Sequence, residues 1–337
     1  MKRRDFISKS AAAAAFTGAS LSLPLSKLWG YPYSMPPSPH ASMPPGSHAP
    51  MPPGPHAPMP PGPHAPVLPY DLVAVKGGEP EVMFDKAIES LGGIGTFVQK
   101  GQTVLVKPNI GWDVPPERAG NTNPKLVKRI VEQCYSAGAK QVYVFDNTCD
   151  KWDKCYTDSG IEKAVKDANG TIVPGNTENY YQEVQIGGAK KLTSTKVHEL
   201  VLQSDVFINV PVLKSHSSAK LTIAMKNLMG IVWDRGYWHR NDLNQCIADY
   251  CLYAKKPTLN VIDAYRVMMK NGPRGVSEAD VSLMKSLIVS PDMVAADAAA
   301  TKLFGLSPDD VPYIGIADSM GIGTMQLDKL KINRIIL

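Results

Sequence analysis

Four residue groups in this sequence are equipped for chemistry: Lys107-Pro108-Asn109, Asp146-Asn147, Lys214-Ser215-His216 and Lys226-Asn227. Asp263 and the run Asn271-Gly272-Pro273-Arg274-Gly275 add to them. Ammonium and guanidinium groups beside amide side chains suit a ligand bearing phosphate or carboxylate oxygens. On this reading Lys107, Asn109, Asn227, Gly272 and Arg274 bind the ligand. Lys214, His216, Lys226 and Asp263 carry the reaction: the cations stabilise developing negative charge, and the imidazole moves a proton near neutral pH. Asp146 and Asp297 are the candidate carboxylates for a divalent metal, or for orienting the histidine. Asp and Asn after strands are also ordinary turn residues. Lys107, Lys214 and Lys226 are not turn formers, which favours a site over a set of turns.

The elements that must position these residues alternate from Tyr70 onward. Short apolar runs predict strands at 72–75, 103–106, 141–145, 171–173, 206–210, 259–262 and 286–289. Helical spacing predicts helices at 81–91, 160–168, 221–229, 241–254 and 292–304. Asn123-Pro124 opens another helix that closes at Ala137-Gly138, with proline in its first turn and glycine past its end. Residues 183–194 read as an antiparallel excursion. The fold class is therefore α/β, a mostly parallel sheet with helices on both faces. In such sheets the ligand crevice lies outside the carboxyl ends of the strands, where the polar groups above fall. Lys214 and His216 are expected in a loop. In the helix expected at 221–229, Leu221, Met225 and Leu228 turn inward and leave Lys226 on another face. Trp233, Tyr237, Trp238 and His239-Arg240 form an aromatic and basic loop suited to a pocket wall, a lid or plain surface packing.

The charge is unevenly placed. The 337-residue chain has formal net charge +5, yet residues 70–337 carry 31 basic and 30 acidic residues. That balance offers no basic stripe, and no nucleic-acid partner is expected. Residues 1–30 carry Arg3-Arg4, then Phe6 and a weakly apolar run, the layout of an export signal resembling the bacterial twin-arginine type. Export would place the protein in the periplasm, or tether it outside the cytoplasmic membrane if the segment is retained. Residues 31–69 hold 16 of the 29 prolines and form a linker without a charged residue. Within it, 35–66 are four copies of one octapeptide, with His40, His48, His56 and His64 in register. So much proline predicts an extended polyproline-like spacer. It is either a stalk or, with its methionines, an accessory metal ligand. The α/β domain is expected at 70–337. Its cysteines include no Cys-x-x-Cys; Cys149 and Cys155, in a polar and loop-like stretch, are the best candidate disulfide pair, and Cys134 reads as a core residue.

Phosphate-loop, dinucleotide-loop, serine-elbow and zinc-protease signatures are absent. The ordered set KPNIG (107–111), NTNP (121–124), VPVLKSH…KLTIAMKNLMG (210–230), IDA (262–264), GPRG (272–275) and SPDMVAADAAA (290–300) resembles the domain of unknown function family 362. The resemblance spans about residues 71–310. It implies an α/β fold and a shared site at Lys107, Asn109, Lys214, His216, Lys226, Asn227, Asp263, Gly272 and Asp297, without supplying a reaction. Several family members carry a ferredoxin-like segment with two iron–sulfur clusters; this chain lacks the cysteines for it, so no such cluster is expected. Two readings follow. One is an exported enzyme acting on a small anionic substrate, with or without a divalent metal. The other is a non-catalytic binding protein that captures a metal or an anion. A redox role for Cys149 and Cys155 is disfavoured by their spacing.

Overall fold

A computed structural model describes residues 67–337. The export-like segment and the octapeptide repeat with His40, His48, His56 and His64 lie outside the described residues. The chain runs β1 (Leu72–Lys76), α1 (Pro80–Ser90), β2 (Thr103–Pro108), α2 (Pro124–Ser136), β3 (Gln141–Val144), α3 (Trp152–Asp158), α4 (Ile161–Asp167) and β4 (Thr171–Ile172). There follow β5 (Tyr181–Gln185), β6 (Ser194–His198), α5 (Glu199–Gln203), β7 (Val206–Val210), β8 (Val212–His216), β9 (Lys220–Thr222), α6 (Ala224–Asn227), α7 (Arg235–Arg240) and α8 (Leu243–Tyr250). β10 (Leu259–Met268), β11 (Val281–Ser290), α9 (Met293–Phe304), α10 (Pro312–Ser319) and β12 (Ile332–Ile336) complete it.

The main sheet has the order β12-β1-β11-β10-β7-β2-β3-β4. Pairing is parallel from β10 through β7, β2 and β3 to β4, and antiparallel where β11 meets β10 and β1. The fold is thus α/β on a mixed, mostly parallel sheet. The period of two along each strand divides the side chains between two cores. Val104, Val106, Val206 and Ile208 pack with α1, α2 and α4 on one face. Leu105, Phe207 and Ile262 pack with α6, α8, α9 and α10 on the other. Burial on both faces explains the unbroken apolar run of β7. α2 forms where its signals predict: Asn123 Oδ1 accepts from Lys125 N at 3.0 Å, and Leu126, Val127, Ile130, Val131 and Cys134 make the buried face. Burial pushes the Cys134 thiol up to about 12. The antiparallel excursion is the separate β5–β6 pair.

Three local expectations give way to tertiary pairing. Lys214 and His216 lie on β8, not in a loop. β8 pairs with β9, setting Lys214 opposite Thr222 and His216 opposite Lys220, and also runs alongside β10. The helix expected at 221–229 is accordingly broken. Leu221 and Thr222 belong to the hairpin, Ile223 is extended, and only Ala224–Asn227 is helical before a 3-10 turn over Leu228–Ile231. Leu221, Met225 and Leu228 are buried as expected, but Lys226 is buried too. The third case is the polar stretch around Cys149 and Cys155, which contains α3. Cys155 is buried and Cys149 exposed, and both are free thiols. Among the described residues, no helix is long and apolar enough to cross a membrane.

Asp263, expected to be catalytic, instead clasps the fold. Its buried carboxylate accepts from Asn123 N at 2.7 Å, where α2 begins, and from Tyr265 N at 3.0 Å. Burial pushes its acid up to about 6. Asp263→Ala leaves both N–H groups without this acceptor, at about 1–3 kcal/mol each. The expected result is a lower urea midpoint with an unchanged slope. An unaltered midpoint would show that the clasp contributes nothing to stability.

Candidate functional site

The site is built on a row of polar residues that crosses the sheet. Lys107 on β2 stands opposite Asn209 on β7, Asn209 opposite Asn260 on β10, and Asn260 opposite Ser290 on β11. All four occupy positions that alternate onto the face carrying α6 and α9. Asn209 Nδ2 donates to Asn260 Oδ1 at 3.0 Å and to Ala224 O at 3.0 Å. Asn260 Nδ2 donates to Ser290 O at 3.3 Å. Asn227, at the end of α6, donates to Asn209 Oδ1 at 2.9 Å and accepts from Lys107 Nζ and Asn109 Nδ2, each at 2.9 Å. Asn109 Oδ1 in turn accepts from Lys214 Nζ at 3.0 Å. Each amide orients the next, and the chain ends on the cations.

Lys107 and Asp146 form an ion pair of 3.0 Å with both side chains buried. Asp146 Oδ2 also accepts from Ile110 N at 2.7 Å, and Tyr156 Oη accepts from Asp146 N at 2.7 Å. Tyr156 comes from α3, so the unexpected helix is what fixes the aspartate. Burial pulls the Lys107 ammonium down and pushes the Asp146 acid up, while the opposite charge of each partner resists both shifts. Gly230 passes directly over the pair: a Cβ there would collide with Asp146 Oδ1 and Lys107 Nζ. The closing glycine of the MKNLMG run is required by close approach, not by a left-handed turn.

These groups line a cavity of about 490 Å³ off the carboxyl ends of β2 and β3. Lys107, Asn109, Asp146, Lys214, His216, Lys226 and Asn227 all face it, joined by Asn147, Cys149, Arg235, His239 and Pro273. Lys214 Nζ donates to Gly120 O at 2.6 Å as well as to Asn109. Burial lowers Lys214 to about 7 and Lys226 to about 8, and the neighbouring cations add to the shift. His216 Nδ1 accepts from Ser218 N at 3.2 Å and Ala219 N at 3.3 Å, so its ring proton is assigned to Nε2. Burial and the ammonium groups of Lys226 and Lys214 drive its pKa to about 2. The imidazole is therefore a neutral wall of the cavity. The titration near neutral pH expected of it is suppressed by burial and, after that, by the lysines beside it.

Four predicted residues stand outside the cavity lining: Asp263, Gly272, Arg274 and Asp297. Gly272 packs against Ser215, whose Oγ accepts from Gly272 N at 3.1 Å, and the Gly272–Pro273 bond is cis. Arg274 is spent on Asp113 and Asp150, at 2.5 and 3.1 Å. Asp297 is buried on α9 and accepts from Ala224 N at 2.6 Å and Met225 N at 3.0 Å. It holds the start of α6, and thereby Lys226 and Asn227. Asp146 and Asp297 do not converge on a metal position. Among the described residues, no group of three or more His, Cys, Asp or Glu side chains is arranged to hold one. The sequence reading missed Asn209, Asn260 and Arg235. The first two carried a signal, a polar amide inside an otherwise apolar central strand.

A mostly parallel α/β domain with a lysine- and asparagine-lined cavity at the carboxyl edge of its sheet defines the class. The chain belongs to the family described as domain of unknown function DUF362, whose model matches residues 104–302. It is similar to the thylakoid-associated protein sll1697 of Synechocystis sp., with 28% identity over 248 residues that cover 70% of this chain and 73% of that protein. Among solved structures it is similar to the lactate racemase apoprotein of Thermoanaerobacterium thermosaccharolyticum, at 11% identity and a TM-score of 0.45. That match covers 68% of this chain and 56% of the racemase chain. A Thermotoga maritima protein matches with 11% identity and a TM-score of 0.44, over 72% of this chain and 60% of its own. The chain thus spans less than two thirds of either solved structure.

The Gly230 contact yields a contrast. Gly230→Ala must displace a buried ion pair, and overpacking of this kind costs about 1–3 kcal/mol. Gly315→Ala, in α10 with open space around it, is expected to be neutral or to stabilise by up to about 1 kcal/mol. Urea unfolding of both variants checks this; equal midpoints would show that the close approach at Gly230 is not maintained in solution.

Proposed function

We propose that the protein is an enzyme whose cavity binds a small substrate through a carboxylate or phosphate group. The observation that carries this reading is the charge of the lining. Lys107, Lys214, Lys226 and Arg235 face the cavity, and Asp146 is the one carboxylate among its described lining residues. Buried positive charge without matching negative charge is unfavourable, and an anionic ligand relieves it. Asn109 and Asn227, locked by their partners, present fixed dipoles beside the cations, an arrangement suited to developing negative charge. The lysines supply positive charge without a metal. Export through the twin-arginine-like segment is part of this proposal and rests on residues 1–30 alone.

Protonation supplies the test. Lys214 and Lys226 titrate near 7 and 8, and an anion beside them favours their charged forms. Titration calorimetry with inorganic phosphate and with lactate at pH about 8 should show binding coupled to proton uptake, seen as a heat that depends on the ionisation enthalpy of the buffer. Affinity should fall as the pH rises through this range. Lys214→Met should weaken binding by about tenfold or more, the loss of one charge-assisted contact. The unliganded protein should behave in the opposite way. A lysine depressed in the folded state destabilises the fold while it is charged in both states. That cost fades as the pH climbs from about 7 toward the ordinary lysine value, so Lys214 contributes rising stability over that window. Absence of binding by both anions, or binding without proton uptake, overturns the proposal.

A further inference from the structure

Lys226 differs from the other two cavity lysines in what it touches. Lys107 has a carboxylate and an amide oxygen, and Lys214 has an amide oxygen and a backbone carbonyl. Lys226 Nζ has only the thioether sulfur of Met229 within hydrogen-bond reach among the described residues, at 3.2 Å. The residue is 7% exposed and lines the cavity. A thioether is a weak acceptor and cannot offset a buried positive charge. The groups that bear on Lys226 electrostatically include Lys107 and Arg235, both cations, and the Cys149 thiol. Burial and these cations bring it to about 8, where much of it is free amine. Among the described residues, no hydrogen-bond donor engages the amine lone pair. A desolvated lysine beside other cations is a carbonyl nucleophile.

We propose that Lys226 forms an imine with a ligand that carries both an anionic group and a reactive carbonyl, such as a small oxo acid. The proposal rests on the anion-binding reading above, since Lys107 and Lys214 would hold the anionic end while Lys226 meets the carbonyl. The Nζ lone pair attacks the carbonyl carbon, a C–N bond forms, and the carbonyl π pair moves to oxygen. Proton transfer from nitrogen to that oxygen gives a carbinolamine. The nitrogen lone pair then closes the C=N bond as the C–O bond breaks, and the second N–H proton leaves with the hydroxyl as water. Nothing is oxidised or reduced, and hydrolysis reverses the sequence. Once protonated, the imine draws electrons from the bond adjoining it, which is the chemical use of such an adduct.

The test uses the full-length protein with pyruvate or glyoxylate in the presence of borohydride, the reductant that makes the adduct permanent. Intact mass and peptide mapping should find one reduced adduct on Lys226. At pH about 8 an ordinary lysine is only about 0.4% amine, so Lys226 should carry at least about tenfold more label than any exposed lysine. Lys226→Arg should lose the adduct, and Lys163→Arg, on the surface of α4, should keep it. Mapping on the unaltered protein reads the site directly, so the result does not depend on how a variant folds. Lactate, which has the charge but no carbonyl, separates the two proposals. Lactate binding without an adduct on Lys226 overturns the imine and leaves the anion reading intact. Label scattered over exposed lysines also overturns the imine. Absence of both binding and label overturns both.

Discussion

Burying the Lys107 ammonium is the constraint around which the site is organised. The side chain sits under the sheet edge with 1% exposure, where an uncompensated charge costs several kcal/mol. One carboxylate, Asp146, and one amide oxygen, from Asn227, offset that cost. Each of these then needs its own support. Asp146 is held by Ile110 N and, through its backbone, by Tyr156 on α3. Asn227 is held by Asn209 and by the placement of α6, which Asp297 fixes from α9. Helices from both faces of the sheet are thus recruited to one charge.

The row Lys107–Asn209–Asn260–Ser290 shows how the sheet carries polarity through an apolar interior. Asn209 has both a donor and an acceptor partner, and Asn260 accepts from Asn209 while donating to backbone oxygen. Partly satisfied, such a network would destabilise the fold; fully satisfied, it fixes side-chain orientation. Asn227 and Asn109 therefore meet the cavity with preset dipoles. The same low-dielectric surroundings explain the contrast between the lysines and His216. Burial disfavours every added positive charge, so the lysines drop toward neutrality and the imidazole, surrounded by them, stays uncharged.

Asp263 and Asp297 show why residue type alone misassigns roles. Both are acidic residues inside motifs that resemble a known family, and both are buried. Their carboxylates nevertheless accept from backbone N–H groups at the starts of α2 and α6. Asp297 thereby positions Lys226 and Asn227, Asp263 ties β10 to the start of α2, and neither lines the cavity. Arg274 is similar in kind: its guanidinium looked like an anion clamp and is instead spent on Asp113 and Asp150.

Periodicity and turn chemistry are local properties, and they were enough to determine the α/β class, the central strands, α2 with its Asn123-Pro124 opening, and the burial of Leu221, Met225 and Leu228. The rule that ligand sites lie beyond the carboxyl ends of parallel strands singled out Lys107, Asn109, Asp146, Lys214 and His216, which the structure gathers around one cavity. Tertiary structure decided what depends on pairing between distant segments. Lys214 and His216 became a strand because β9 and β10 lay alongside them, and the expected helix was cut because its first residues were claimed by that hairpin. The charge state of each lysine was also decided there. An isolated Lys-x-His or Met-Lys-Asn carries no information about how much water surrounds it, and desolvation by chain segments up to 120 residues away is what separates a solvated ammonium from a reactive amine.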